Sequence, residues 1–282
     1  MNQEKPLLQM IQERLNSGMQ DLPVFHSVAI KLQQLLGRPS FEITDVVELI
    51  GEDQSLSGRV LKVANSSYYA GLTKIATIKD AITRLGAQEI ANMAMLASQF
   101  EYYHSSNKTL NSMMQTLWNH ALACAVGAKW IACKSGYQGL AAEAFMGGLL
   151  HDIGKLALLK ALDDILKNKE SATHLSAQLL HEIMAAMHEE VGYQLMKGWN
   201  LPDFYCDIAG NHHKPDFDQS NILLIAVRLA DLTCKKLGRS AEVADPSLTI
   251  FSTPEAQLLG LKEIAVAELE IIIEDAEGIT MN

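Results

Sequence analysis

The sequence is short of the features that mark secreted, membrane-spanning or nucleic-acid-binding chains. Its 282 residues include four cysteines, Cys124, Cys133, Cys206 and Cys234, with no C-x-x-C pair among them. Each stands in an apolar stretch, which predicts buried free thiols and a reducing compartment. Seven prolines leave little material for a long linker. Basic residues are the scarcer charge: 23 Lys and Arg against 33 Asp and Glu give a net charge of −10. With no basic cluster, a general grip on phosphate backbones is excluded. No apolar run is long enough to span a bilayer. The first fifteen residues, charged and amphipathic, lack the apolar centre of a signal peptide. These absences predict a cytoplasmic protein of bacterial style, with neither nucleic acid nor membrane among its partners.

What is present describes a folded helical protein. Hydrophobic residues make up 48% and charged residues 20%, the balance of a globular chain long enough for one large or two ordinary domains. Nearly every segment carries helical period and almost none strand alternation, so the expected fold is all-α. Leu22-Pro23 opens a helix with Val28, Leu32, Leu35 and Leu36. Thr44 and Asp45 cap another, and Asp53-Gln54-Ser55 starts a third that ends at Asn65-Ser66-Ser67. Tyr68 to Thr77 reads as irregular. Gly86 separates a helix over 78–85 from one over 87–103. The polar run His104 to Thr109 divides an N-terminal helical lobe, 1–105, from a second lobe, 106–245. A connector and a last helix starting at Thr253-Pro254-Glu255 occupy 246–282. The first lobe shows no catalytic set, and Arg59 and Lys62 read as a solvated face.

The chemistry is concentrated in the second lobe. An apolar helical run, Ala141 to Leu150, delivers His151-Asp152, followed by Gly154-Lys155. An imidazole beside a carboxylate suits iron, manganese or zinc, yet a dipeptide alone is a weak signal. Other inward polar residues strengthen it. His120 shares a helical face with Leu117 and Cys124, His188 with Met184 and Leu195, and His212 with Ile208 and Ala209. Asp231 shares one with Val227 and Cys234, where an unpaired carboxylate would be costly to bury. Taken singly, each histidine reads as a hydrogen-bonded core residue. Asp231 has Arg228 or Lys235 as an alternative partner at helical spacing, and His212-His213 has a surface turn before Pro215 as its alternative. His26, His104, His174 and His181 show no such order and read as surface or ordinary packing.

Quoted in order, the pieces are Leu22-Pro23, Asp53-Gln54-Ser55-Leu56-Ser57, Val63-Ala64-Asn65-Ser66, Leu85-Gly86, Leu117-Trp118-Asn119-His120, Gly148 to Lys155, Leu201-Pro202 and Asn211-His212-His213. This series resembles the HD superfamily of metal-dependent phosphohydrolases, and within it the HDOD branch, over roughly Leu22 to Leu237. The resemblance implies an HD-domain-like all-α fold with two divalent ions, of iron, manganese or zinc. One ion would take His120, His151, Asp152 and Asp231. The second would take His188, His212 and His213, with Asp152 bridging the two and water activated between them for attack on phosphorus. Lys155 would steady a phosphate oxygen, unless it is simply a solvated lysine after a helix end. Many HDOD proteins are regulatory, so the resemblance implies a signalling module with protein partners, or else a phosphohydrolase acting on a nucleotide or other phosphoester. The Gly-Tyr-Pro that follows the paired histidines in cyclic-dinucleotide phosphodiesterases is replaced here by Lys214-Pro215-Asp216-Phe217. Hydrolysis of cyclic di-GMP is therefore not expected.

Overall fold

A computed structural model describes residues 6–18, 22, 24, 26–66, 69, 71, 73–167, 176–240 and 243–276. Pro23, Ser67, Tyr68, Ala172 and His174 lie outside them. Among the described residues there are helices and turns but no strand, so the chain is all-α.

Local sequence explains most helix starts. The first lobe contains α1 (Leu7–Gly18), α2 (Ser27–Leu36), α3 (Ile43–Gly51), α4 (Gln54–Ala64), α5 (Ile78–Leu85) and α6 (Ala87–Gln99). Asp53 caps α4 by accepting from Leu56 N–H at 2.9 Å, and Thr77 caps α5 by accepting from Asp80 N–H at 3.0 Å. These short oxygens satisfy donors that a helix leaves free at its first turn. Asp45 does not precede α3. It sits inside the first turn and accepts from Glu42 N–H at 3.1 Å. Gly86, at φ 88°, makes the break between α5 and α6 in a conformation that favours glycine. Asn65 pins the irregular stretch after α4, accepting from Ile75 N–H and donating to Ile75 C=O at 2.8 and 2.9 Å.

The second lobe is built on a 27-residue helix, α7 (Lys108–Lys134). Around it come α8 (Ala141–Leu150), α9 (Ile153–Lys167), α10 (Ala177–Gly198), α11 (Asp203–Asn211) and α12 (Ile222–Lys236). The most extensive packing is of α8 and α12 on α7, followed by α10 on α9. Close approach requires glycine at two of these crossings. A Cβ on Gly148 would lie 2.6 Å from Cys124 C=O oxygen, and one on Gly154 would lie 2.0 Å from that of His188. Both crossings flank His151-Asp152, so the glycines bring α7 and α10 within reach of that pair.

The expected last helix is two. α13 (Pro254–Leu258) ends before Gly260, at φ 62°, and α14 (Glu263–Asp275) follows. The left-handed residue reverses the chain where the sequence pattern alone suggests continuity. α14 lies against α7. The two lobes share one continuous apolar core. Arg14 of α1 pairs with Asp164 of α9 at 2.8 Å, and the Asn92 amide of α6 donates to Ala142 C=O at 2.7 Å.

Candidate metal centre

The folded second lobe gathers side chains from α7, the α8–α9 turn, α10, the end of α11 and α12. His120, His151, Asp152, His188, His212 and Asp231 are each no more than 3% exposed. His213 stands at the rim, with a quarter of its side chain exposed.

The histidines are held in one tautomer by the backbone. Nδ1 of His151 lies 2.7 Å from Gly148 C=O, and that of His188 lies 2.8 Å from Met184 C=O. Nδ1 of His212 meets Ala209 C=O at 3.0 Å, and that of His120 meets Arg239 C=O at 2.9 Å. A carbonyl only accepts, so each Nδ1 carries hydrogen and each neutral ring keeps its lone pair on Nε2. Those lone pairs face one another. Nε2 of His120 and His151 are 3.2 Å apart, and Nε2 of His188 and His212 are 3.3 Å apart. Two bare lone pairs at such distances repel unless a proton or a metal cation stands between them.

The carboxylates complete two groups. His120 Nε2 is 3.3 Å from Asp231 Oδ1 and 3.4 Å from Asp152 Oδ2. Asp152 Oδ1 faces Nε2 of His188 and of His212, at 3.5 and 3.3 Å. It is buried and takes no hydrogen bond from either. A buried oxygen without a donor, opposite two lone pairs, is costly in an apolar core and is what a cation would satisfy. His213 Nδ1 lies 3.6 Å from Asp231 Oδ2. The donors therefore fit divalent metal as two groups, His120, Cys124, His151 and Asp231 in one, Asp152, His188, His212 and His213 in the other. Asp152 faces both.

Electrostatics follow from that burial. Burial opposes charge on Asp152, but Lys155 and His151 outweigh it and hold the carboxyl well below its usual range. His120 and Lys235 do the same for Asp231, again against burial. Burial pushes His151 down to about 3. His120 is also disfavoured as a cation by burial, yet its contacts with Asp152 and Asp231 raise it well above an ordinary histidine.

The other expected residues fall as follows. Lys155 Nζ donates to Asp152 Oδ2 at 2.7 Å. Lys235 pairs with Asp231 at 3.1 Å. Arg228 instead binds Glu255 and donates to the carbonyls of His212 and Lys214, at 2.8 Å each. It thereby clamps the turn that carries the paired histidines. Cys133 is exposed, contrary to the expectation of burial, while the other three thiols are buried. Beside the centre opens a cavity of about 410 Å³ lined by Lys155, His188 and His213, with Met113, Leu117, Leu159 and Met184 as apolar wall. His181 also lines it, two helical turns before His188. That spacing on α10 is the sequence signal that could have separated it from the surface histidines. Cys124 was legible only as a core residue one turn after His120. No helix among the described residues is long and apolar enough to cross a membrane.

Comparison with known proteins matches the chain to a family. The model of the HDOD domain matches residues 22–215. An uncharacterized protein of Treponema pallidum is 25% identical over 223 residues, spanning 77% of this chain and 43% of its own length. The chain thus covers less than half of that relative. An HDOD domain protein of unknown function from Geobacter sulfurreducens has a similar structure, with a TM-score of 0.75 at 24% identity over 98% of both chains. A Shewanella amazonensis protein, described as a candidate metal-dependent phosphohydrolase, gives 0.70 at 22% identity over 96% of this chain and 97% of its own. At these identities the solved structures support the fold.

Proposed function

The chain belongs to the HDOD domain family, and from that premise we propose a signalling module whose second lobe holds two divalent ions of iron, manganese or zinc beside a phosphoester-binding cavity. The observation that carries this reading is the convergence of four Nε2 atoms, their Nδ1 positions engaged by backbone carbonyls, on the buried carboxylates of Asp152 and Asp231. His120, His151 and Asp231 would hold one ion and His188, His212 and His213 the other, with Asp152 between them. Bound there, divalent ions supply Lewis acidity toward a phosphoryl oxygen and make water a better nucleophile.

The protein's own groups suit such a ligand. Lys155 keeps Asp152 ionised and oriented, and brings a positive charge to the cavity edge where a phosphate oxygen would arrive. The apolar wall would take the organic part of a nucleotide or other phosphoester. The regulatory emphasis rests on a separate observation: α1–α6 contribute nothing to either donor group, yet are fastened to the second lobe through Asn92 and Arg14. Such a lobe offers a surface for protein partners whose geometry follows the state of the centre. Turnover is the second reading, favoured by the cavity reaching the centre.

Elemental analysis of protein purified without chelator tests the proposal. Two equivalents of metal are expected, both reduced in Asp152→Ala. Absence of metal under iron, manganese and zinc supplementation would defeat it. A panel of phosphoesters assayed on the loaded protein then separates the readings: metal-dependent release of product, lost in Asp152→Ala, supports catalysis, and no release supports the regulatory role.

A further inference from the structure

The cavity beside the centre follows one pattern on three helices. On α10 it is lined by His181, Met184, Ala185 and His188, a spacing of i, i+3, i+4 and i+7 that puts all four on one face. On α7, Leu117 and Met113 line it three and seven residues before His120. On α9, Lys155 and Leu159 line it three and seven residues after Asp152. Each helix therefore leads away from the centre by the same two turns, about 10.5 Å. α10 packs along α9, and α7 also meets α9, so the three faces border one trough.

Polarity along the trough is uneven. Lys155, His188 and His213 stand at the end nearest the centre, and Leu117 and Met184 make an apolar stretch one turn out. At the far end His181 is the polar residue, beside Met113 and Leu159. It is half-buried and makes no hydrogen bond or ion pair with any described residue. Charge is uneven as well. The chain has 33 acidic residues against 23 basic, yet the polar residues lining the trough are lysine and histidine, with no aspartate or glutamate among the described ones. Nitrogen groups thus occupy both ends, with hydrocarbon between them.

We propose that His181 is a specificity-determining residue, donating an imidazole N–H to the far end of an elongated organic phosphate. Such a ligand places its phosphoryl group at the metal end and carries a carboxylate or comparable acceptor about two helical turns away. This inference rests on the phosphoester reading above and narrows it. A short phosphoester such as phenyl phosphate fills the inner part of the trough and leaves His181 unused. A ligand ending in an ammonium group meets no carboxylate there. His181 belongs to neither donor group, so it selects the ligand without holding metal.

Isothermal titration of the manganese-loaded full chain tests this with two phosphonates, which resist hydrolysis and so report binding alone. One is a naphthylmethyl phosphonate. The other is the same compound with a carboxylate at the opposite end of its ring system. The carboxylate should tighten binding to the wild type by about tenfold, the effect of one hydrogen bond to a charged group. His181→Ala should bind the plain phosphonate as the wild type does and lose that gain. The loss then belongs to the pairing of residue and carboxylate, which a merely structural role would not produce. Equal affinity of the wild type for the two compounds would overturn the inference and leave the phosphoester reading standing. So would a gain that survives in His181→Ala. Failure of the plain phosphonate to bind would overturn the phosphoester reading and the inference with it.

Discussion

His151 illustrates how one residue's surroundings set its chemistry. Its Nδ1 is bound to Gly148 C=O, and its burial disfavours the imidazolium, so it waits as a neutral donor with Nε2 facing the cluster. That state has a consequence for stability. An unfolded chain protonates histidine near pH 6.5, while folded His151 does so only near 3. Burial holds His188 and His213 low as well. Between those values the unfolded state binds more protons, so stability is lost as pH falls from 6.5 toward 3. Asp152 and Asp231, with lowered pKa values, add stability above the ordinary carboxylate range that is lost at still lower pH. His120 acts above that range. Its raised pKa adds stability below 6.5 that disappears as pH rises through its folded value. With His151, His188 and His213 all lowered and His120 protonated in both states over that range, the urea midpoint of the metal-free protein should fall steadily from pH 6.5 to 4. A midpoint that is flat or rises over that range would contradict the assignment.

At the level of elements, the centre depends on how closely helices cross. Gly154 begins α9 against the α10 backbone, and a Cβ there would sit 2.0 Å from His188 C=O and 2.7 Å from Gly192 N. No flexible side chain is available to yield, so α9 and α10 would have to separate. Overpacking a core typically costs about 1–3 kcal/mol, and contact with backbone places Gly154→Ala at or above the upper figure. Because His188 rides on α10, retained metal should fall too. Chemical denaturation and elemental analysis of the variant would check both, and stability within about 0.5 kcal/mol of wild type would count against the crossing described. The sequence makes these helices visible through their periodicity and caps. It marks Gly148 and Gly154 only as residues near a motif, because the backbone they must admit belongs to helices remote in the chain.

At the scale of the whole molecule, the lobe boundary expected near residue 105 does not divide the apolar core. Ile11 and Leu15 of α1 and Ile90, Ala91 and Met93 to Ala97 of α6 belong to the same apolar cluster as the interior of α7 and α8. A chain of this size often unfolds in stages, but a shared core favours a single transition. The three tryptophans, Trp118, Trp130 and Trp199, all lie in the second lobe, whereas far-ultraviolet circular dichroism reports helices in both. In metal-free protein the two signals should therefore trace superimposable urea curves. Separate midpoints would mean that the lobes unfold independently.

The sequence by itself determined the all-α class, most helix starts and which histidines and aspartates lie on inward apolar faces. Those features depend on local physics: apolar period, capping oxygens, and the rarity of histidine and aspartate on apolar faces. Tertiary structure alone decided which donors face which. The split of α13 from α14, the clamp of Arg228 on the His212–Lys214 backbone, the cavity wall that includes His181 and the nearness of Cys124 to His120 and Asp231 depend on distant segments meeting. Cys124 and Leu117 share one face of α7 and look alike as buried apolar neighbours in the chain. Packing of α12 and the α8–α9 turn puts a carboxylate and an imidazole beside the sulfur, a meeting that no local pattern foretells.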